Sequence, residues 1–318
     1  MTSTDLKALN GSRVLVTGGA GFIGSHLVDA LLDGGAKVRV LDNLATGKLE
    51  NLAHVKERIE FVQADICDLG ACQRACEGVD FVFHEAALGS VPRSLEKPAD
   101  SISVNVSGTC NVFTAARDQR VKRLVYASSS SVYGTSERLP KREGEEGLPL
   151  SPYALSKKMD EQLADIYARC YSMEIIGLRY FNVYGPRQDP HGAYAAVIPR
   201  FFAACRAGQA PTIYGDGQQS RDFTYVGDVV AANLSVLLGS GHSGEAFNVG
   251  AGGRTTVLDL ARAISKATGF GGAPEHKPPR AGDVMHSIAD TSRIFEAFGW
   301  RATTGLDAGI ELCAAHYR

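Results

Sequence analysis

Alternating strand and helix patterns predict an α/β fold, in which a parallel sheet is covered by helices on both faces. The 318-residue chain is 44% hydrophobic and 21% charged, which suits a globular protein of one or two domains. Short apolar runs predict strands at 13–16, 37–41, 59–63, 79–84, 124–127 and 174–180. Helical patterns are predicted at 25–32, 99–120, 151–171, 228–238, 257–268 and 292–298.

The first predicted strand runs directly into a glycine turn, Gly18-x-x-Gly21-x-x-Gly24, which is followed by a helix and a second strand. Glycines there let the turn close and let backbone N–H groups approach a pyrophosphate at the helix N-terminus. Asp42 ends the second strand, where a carboxylate would bind the adenosine ribose and repel a 2′-phosphate. The alternative is an ordinary glycine turn with a surface aspartate. The order of elements favours a bound dinucleotide, NAD rather than NADP.

Small and polar residues stand at the carboxyl ends of several predicted strands. They are Asp65, Ala86 with Ala87, Ser129 and Asn182. In parallel α/β sheets, ligands bind beyond these ends. The pattern therefore predicts a single cleft that these residues share.

Tyr153 and Lys157 stand four residues apart, which places them on one face of a helix. Ser151 followed by Pro152 is a helix-start signal, so Tyr153 falls in the first turn. A free phenol has a pKa of about 10 and is a poor base at neutral pH. A nearby ammonium, the helix N-terminus and a nicotinamide cation each favour the phenolate. Alone, this spacing also fits a half-buried tyrosine and a solvated lysine. Combined with the glycine turn, it predicts a catalytic base.

Composition argues against several partner classes. The net charge of −2 gives no reason to expect nucleic acid or an anionic membrane as partner. No apolar run approaches the ~20 residues of a transmembrane helix, and the first ten residues lack a signal-peptide core. Seven scattered cysteines predict free thiols and a cytoplasmic location. Cys67, Cys72 and Cys76 lack a fourth ligand at finger spacing, so we expect no metal site.

Two arginines, Arg221 and Arg280, lie in polar loops of the C-terminal part. Their planar guanidinium groups suit bidentate contacts to a diphosphate. Solvated surface arginines are the alternative, and position alone favours that alternative.

These motifs together resemble the extended short-chain dehydrogenase/reductase superfamily, in particular its nucleotide-sugar 4-epimerases, over nearly the whole chain. The resemblance rests on the glycine turn, the Tyr153 and Lys157 pair, the serines before Val132-Tyr133-Gly134, and Arg280-x-Gly-Asp283. It implies a Rossmann-like doubly wound parallel sheet that binds NAD, and a smaller α/β C-terminal domain that binds a UDP-sugar. The implied NAD domain is 1–181 with a return around 226–250, and the substrate domain is mainly 182–318. A homodimer through a bundle of 99–120 and 151–171 is also implied.

The same resemblance assigns roles. Tyr153 is the base, Lys157 holds the nicotinamide ribose, and Ser129, four residues before Tyr133, binds the sugar 4-hydroxyl. Ser131 is a further candidate for contact with cofactor or substrate. The expected cofactor-binding residues are Gly18, Gly21, Phe22, Ile23, Gly24, Asp42, Asn43, Asp65, Ile66, Ala86, Ala87, Asn105, Tyr153, Lys157 and Tyr180. The expected substrate-binding residues are Gly89, Ser90, Ser129, Asn182, Ala196, Val197, Thr212, Tyr214, Arg221, Arg280, Asp283 and Ser287.

A few positions choose among reactions in the superfamily. Related 4,6-dehydratases carry an acidic pair just after the catalytic Ser or Thr, and UDP-glucuronate decarboxylases carry a Glu at the second of those positions. Here both are serines, Ser130 and Ser131. Uronate epimerases tend to carry a further Arg where this chain has Asp189, which would repel a sugar carboxylate.

Three small residues, Gly89, Ala196 and Ser287, stand where epimerases restricted to UDP-glucose and UDP-galactose have Lys, Asn and Tyr. The missing bulk would leave room for a 2-acetamido group. We therefore expect a 4-epimerase that interconverts UDP-N-acetylglucosamine and UDP-N-acetylgalactosamine, with UDP-glucose and UDP-galactose as further substrates left open. The alternatives are a UDP-glucuronate 4-epimerase or decarboxylase, and a non-catalytic NAD-sensing protein.

Overall fold

A computed structural model describes residues 7–190, 192, 195–279 and 285–317. Its strands, numbered in chain order, are β1 Arg13–Thr17, β2 Lys37–Asp42, β3 Ile59–Gln63, β4 Phe81–His84, β5 Arg123–Ser129, β6 Ile175–Tyr180, β7 Val183–Tyr184, β8 Thr212–Tyr214, β9 Ser220–Arg221, β10 Thr224–Tyr225, β11 Ala246–Val249, β12 Thr255–Thr256 and β13 Glu275–Lys277. Seven of them form a parallel sheet in the order β11-β6-β5-β4-β1-β2-β3. The predicted doubly wound parallel sheet is confirmed.

Helices connect these strands. They are α1 Phe22–Asp33, α2 Leu69–Cys76, α3 Val91–Glu96, α4 Pro98–Ile102, α5 Thr109–Asp118, α6 Pro152–Tyr171, α7 Val197–Arg206, α8 Val226–Leu238, α9 Val257–Thr268, α10 Ser292–Phe298 and α11 Leu306–His316. Helix α1 begins earlier than predicted, because Gly24 belongs to its first turn as well as to the glycine motif. The predicted helix over 99–120 is interrupted by a π-helical segment, Ser103–Gly108. Helices α2, α3, α7 and α11 were not predicted.

Hydrophobic side chains cover both faces of the sheet. Along β1, Val14 and Val16 point to one face and Leu15 to the other, as the two-residue period of a strand requires. The first face packs against α1 and α8, and the second against α2, α5 and α6. Because both faces are buried, the strands read as continuous apolar runs rather than as alternating patterns.

Strand order reverses at β1, which lies between β2 and β4. Connections leave the carboxyl ends of β1 and β4 toward opposite sides there, and the gap between them is the usual ligand crevice of such sheets. The fold thus positions the glycine turn after β1 beside the residues that follow β4 and β5.

Most of the chain after β6 builds a second group of elements. Helices α7, α9 and α11 pack around Phe202, Leu260 and Ile310, and short pairs form between β8 and β13, β9 and β12, and β7 and β10. Strand β11 instead pairs with β6 in the central sheet. The division of the chain into domains at 181/182 stays a prediction.

Two further observations concern membrane-spanning helices and the cysteines. None of the described helices combines the length and the hydropathy needed to cross a bilayer. All seven cysteines are free thiols.

Substitution of Gly177 by alanine tests the packing of β6. A Cβ there would lie 2.6 Å from the ring of Tyr126, which is fully buried against Phe113 and has no room to move. We expect Gly177→Ala to lower the free energy of unfolding by about 1–3 kcal/mol, measured by urea denaturation. Gly253→Ala is the matched control, because nothing lies within 4 Å of its added Cβ. Equal stability of the two variants would contradict the packing described for β6.

Candidate active site

A cleft with a volume of about 740 Å³ opens at the glycine turn. Gly18 has φ +68°, and a Cβ there would lie 2.7 Å from the backbone N of Ala86. A Cβ on Gly24 would lie 2.3 Å from the carbonyl oxygen of Gly18. Helix α1 starts after Gly21 without a side-chain cap, so its first N–H groups are available to a ligand. The backbone therefore approaches this cleft more closely than any side chain would allow.

Carboxylates at the ends of β2 and β3 border the cleft. Asp42 accepts hydrogen bonds from the backbone N–H of Ala20 (2.9 Å) and of Leu44 (2.8 Å). Burial raises the pKa of Asp42, and these two bonds oppose the rise. Asn43 donates to Asp65 at 2.8 Å. Burial tends to raise the pKa of Asp65, but bonds from Cys67 and Asn43 outweigh it and lower the pKa. Both aspartates are thus fixed hydrogen-bond acceptors.

Tyr153, Lys157 and Ser129 line the same cleft. Ser151 caps α6 by accepting a hydrogen bond from the N–H of Ala154 at 3.1 Å, which places Tyr153 in the first turn. Lys157 is 2% exposed, and its ammonium donates to the carbonyl of Ala127 at 2.9 Å. Ser129 ends β5 and lines the same cleft.

A fourth group, Glu85, was not predicted. It follows β4, lines the cleft and accepts a hydrogen bond from the Tyr180 hydroxyl at 2.8 Å. Burial raises the pKa of Glu85 to about 7, against the opposing effects of Tyr180 and Lys157. Its position after a buried strand was the only sequence signal for it, since burial of a single acid cannot be read from a pattern.

Buried charges behind the cleft fix the relative positions of α6, β5 and β6. Arg179 on β6 binds Glu161 on α6 through two hydrogen bonds of 2.7 and 2.9 Å and also contacts Glu146. Ser128 on β5 donates to Glu161 at 2.7 Å. Burial alone would lower the pKa of Arg179, but Glu161 and the other nearby acidic groups raise it. Arg179 therefore remains a cation that holds Glu161 in place.

A second cavity of about 270 Å³ lies in the C-terminal part and shares Asn182 with the cleft. Six predicted residues line it: Asn182, Ala196, Val197, Thr212, Tyr214 and Arg221. Arg200, Gln219 and Phe223 also line it and were not predicted. The two spaces thus border the same residue, Asn182.

Comparison with known proteins identifies the family. Residues 14–250 match the NAD dependent epimerase/dehydratase family. The chain belongs to this family. A putative UDP-glucose 4-epimerase of Methanocaldococcus jannaschii is 42% identical over 300 residues, which cover 94% of this chain and 96% of the relative.

Two solved structures extend the comparison. The UDP-glucose 4-epimerase of Thermotoga maritima, solved with UDP-glucose, has a TM-score of 0.91 and 38% identity over 96% of this chain and 98% of its own. The UDP-N-acetylglucosamine 4-epimerase of Methanobrevibacter ruminantium, solved with UDP-N-acetylmuramic acid, has a TM-score of 0.92 and 37% identity over 97% of this chain and 98% of its own.

NAD is the cofactor of this epimerase/dehydratase family, and the cleft fits it. Because Gly18 and Gly24 lack side chains, the backbone beside them leaves room for a pyrophosphate. The start of α1 has no side-chain cap, so its N–H groups can donate to that pyrophosphate. Of the expected cofactor residues, these line the cleft: Gly18, Gly21, Phe22, Ile23, Gly24, Asp42, Asn43, Asp65, Ile66, Ala86, Ala87, Tyr153, Lys157 and Tyr180.

Several predicted residues lie elsewhere. Asn105 is fully buried behind the cleft, where it accepts a hydrogen bond from the N–H of Leu88 (2.7 Å) and donates to Ser156 (3.1 Å). It therefore supports the segment before Gly89, which does line the cleft. Ser90 caps α3. Ser287 lines neither space, but it donates its backbone N–H to Ser220, which lies between Gln219 and Arg221 of the second cavity.

Two further predictions concern Arg280 with Asp283 and metal binding. Arg280 and Asp283 lie outside the described residues. Within the described part of the chain, no three His, Cys, Asp or Glu side chains are grouped to hold a metal ion.

Substitution of Gly24 tests the cofactor cleft. In Gly24→Ala the new Cβ meets backbone of Gly18 and Gly19, so the turn must shift away from the pyrophosphate position. We expect NAD affinity to fall about tenfold or more, equivalent to about 1.4 kcal/mol, by titration calorimetry on nucleotide-free protein. Gly305→Ala, whose Cβ meets nothing within 4 Å, is the control. Unchanged affinity in Gly24→Ala would contradict the placement of the cofactor.

Proposed function

We propose that the protein is an NAD-dependent 4-epimerase that interconverts UDP-N-acetylglucosamine and UDP-N-acetylgalactosamine. One observation carries the proposal. Tyr153, Lys157 and Ser129 line the same cleft as the glycine turn, and Asn182 lines both that cleft and the second cavity. A base, a cation and a hydroxyl thus share a cleft with a dinucleotide site, next to a space for a second nucleotide.

Each side chain has a definite task in this reaction. Tyr153 removes the proton of the sugar 4-hydroxyl and later returns it. Ser129 hydrogen-bonds the same oxygen and orients it. Lys157 would hold the cofactor ribose through the ammonium donor that its contacts with Ala127 and Asp160 leave over. NAD, held by the residues of the cleft, would supply reversible hydride transfer at C4, so the reaction would have no net oxidation.

The second cavity suits the UDP part of the substrate. Arg200 and Arg221 line it, and cationic guanidinium groups bind diphosphate oxygens bidentately. Tyr214 and Phe223 give it aromatic walls. Firm binding of UDP leaves the sugar free to turn over between the two hydride transfers.

Small residues at positions 89 and 196 support the N-acetylated substrate. Gly89 lines the cleft, and a Cβ there would meet nothing within 4 Å, so the space beside it is open. Ala196 lines the second cavity. The related Methanobrevibacter ruminantium enzyme, which is named a UDP-N-acetylglucosamine 4-epimerase, agrees with this choice.

The alternatives have less support. Elimination or decarboxylation would require an acid next to Ser129, where the chain has Ser130 and Ser131. A uronate substrate would bring its carboxylate near Asp189, which pairs with Lys48 at 2.9 Å. An NAD sensor without catalysis would have no use for both Tyr153 and Lys157 in the cleft.

Removal of one hydroxyl tests the chemistry. We expect Tyr153→Phe to lower kcat for the UDP-sugar by about 10²–10⁴-fold, because general base catalysis is lost, while melting temperature and NAD affinity stay at wild-type values. Tyr171→Phe, at the exposed end of the same helix, is the matched control and should keep full activity. Near-normal turnover by Tyr153→Phe would exclude the proposed base.

Added bulk tests the substrate. We expect Ser287→Tyr to reduce kcat/KM for UDP-N-acetylglucosamine by about tenfold or more and to spare UDP-glucose, because only the first carries a 2-acetamido group. Ser287→Ala should leave the ratio of the two substrates unchanged. If Ser287→Tyr changes kcat/KM equally for both substrates, position 287 does not determine substrate choice.

A further inference from the structure

The Lys157 ammonium has three N–H donors, of which two have partners within the protein. One donates to the carbonyl of Ala127 at 2.9 Å, and another to Oδ2 of Asp160 at 3.1 Å. Lys157 also lines the cofactor cleft, so one donor is left for that side. Two contacts behind the cleft therefore determine the direction of the third.

Asp160 lies on the buried side of α6, three residues beyond Lys157, and is 0% exposed. Its second oxygen, Oδ1, is buried, and the Thr109 hydroxyl is a further hydrogen-bonding neighbour of the carboxylate. A buried carboxylate is costly unless it is paired, and the charged partner of Asp160 is the Lys157 ammonium. A neutral residue would pack there at lower cost, so the charge calls for a functional explanation.

Other titratable groups face this pair. They are Tyr153 and Glu161 on α6, His84 and Glu85 at the end of β4, and Tyr126 on β5. Burial lowers the pKa of His84 to about 3, so this residue is neutral. Burial raises the pKa of Asp160 to about 6, and Lys157 opposes the rise. Burial would lower the pKa of Lys157, but Asp160 and Tyr153 outweigh it and raise the pKa.

We propose that Asp160 is a positioning residue for the reaction: its carboxylate holds the Lys157 ammonium in place and sets the pH range in which the Tyr153 and Lys157 pair works. The proposal rests on the proposed function, in which that pair carries the chemistry. An anion beside Lys157 makes every nearby acid retain its proton more strongly. Removal of that anion should therefore displace both limbs of the activity profile in the same direction, toward lower pH.

The isosteric variant Asp160→Asn tests this directly. We expect both limbs of its pH profile of kcat/KM, measured on the UDP-sugar that the wild type turns over, to move about one pH unit toward acid. Asp165→Asn is the matched control, since Asp165 lies on the same helix in an exposed pair with Arg169 and should leave the limbs in place. Asp160→Glu keeps the charge and should retain the wild-type limbs. Superimposed profiles for wild type and Asp160→Asn would overturn the proposal, as would an equal acid shift in Asp160→Glu.

Thermal unfolding without substrate gives a second readout. The folded-state pKa of Asp160 is raised, so its favourable contribution is present at low pH and is lost as pH rises through about 6. The Tm of the wild type should therefore fall relative to Asp160→Asn between pH 4 and pH 6.5. Parallel Tm curves would overturn the proposal even if the protein turned over no UDP-sugar. Absence of turnover in the wild type would instead contradict the proposed function.

Discussion

The contacts that bind α6 to the ends of β5 and β6 determine where every reactive group lies. Lys157 reaches the carbonyl of Ala127, and Glu161 binds both Arg179 and Ser128. These are charged groups in the interior, and loss of one partner from such a buried pair typically costs about 3–5 kcal/mol. The helix therefore cannot slide along the sheet without exposing an unpaired charge to a dry environment. The contacts of Lys157 and Glu161 with the two strands therefore fix the separation of Tyr153 and Ser129.

The sheet order supplies the second constraint. Because the strand order reverses at β1, the glycine turn opens into a gap that α1 and the segment after β4 border. Gly18, just after β1, packs so closely on the backbone of Ala86, which follows β4, that no Cβ would fit between them. The position of the cofactor cleft thus follows from backbone geometry, and side chains such as Lys157 line it. Buried polar groups behind the cleft hold residues that line it: Asn105 accepts from the N–H of Leu88, and Asp160 accepts from Lys157.

Sequence reasoning reached the features that depend on local pattern. Strands β1 to β6 were predicted because buried parallel strands give continuous apolar runs, and the start of α6 because Ser151 and Pro152 mark it. The short helices α2, α3, α7 and α11 were missed, since their stability comes from packing rather than from a long periodic pattern. The break in the predicted 99–120 helix was missed for a related reason, because its π segment is tied to tertiary contacts of Asn105.

The candidate site shows the same division. Gly18, Asp42, Tyr153 and Lys157 belong to spaced motifs and could be identified from the sequence. Glu85 could not, because its raised pKa arises from burial beside Tyr180, which no spacing encodes. The partner of Lys157 on the far side of α6 was likewise hidden, since an acid three residues after a lysine is usually a solvated helix pair.

Product analysis tests the proposed function most directly. The purified protein would be incubated separately with UDP-N-acetylglucosamine, UDP-glucose and UDP-glucuronate, and the products would be separated by chromatography with mass detection. We expect a new product of equal mass from UDP-N-acetylglucosamine, formed faster than from UDP-glucose, and none from UDP-glucuronate. Preferential turnover of UDP-glucuronate, or a product that has lost carbon dioxide, would contradict the substrate and reaction proposed from Gly89, Asp189 and Ser287.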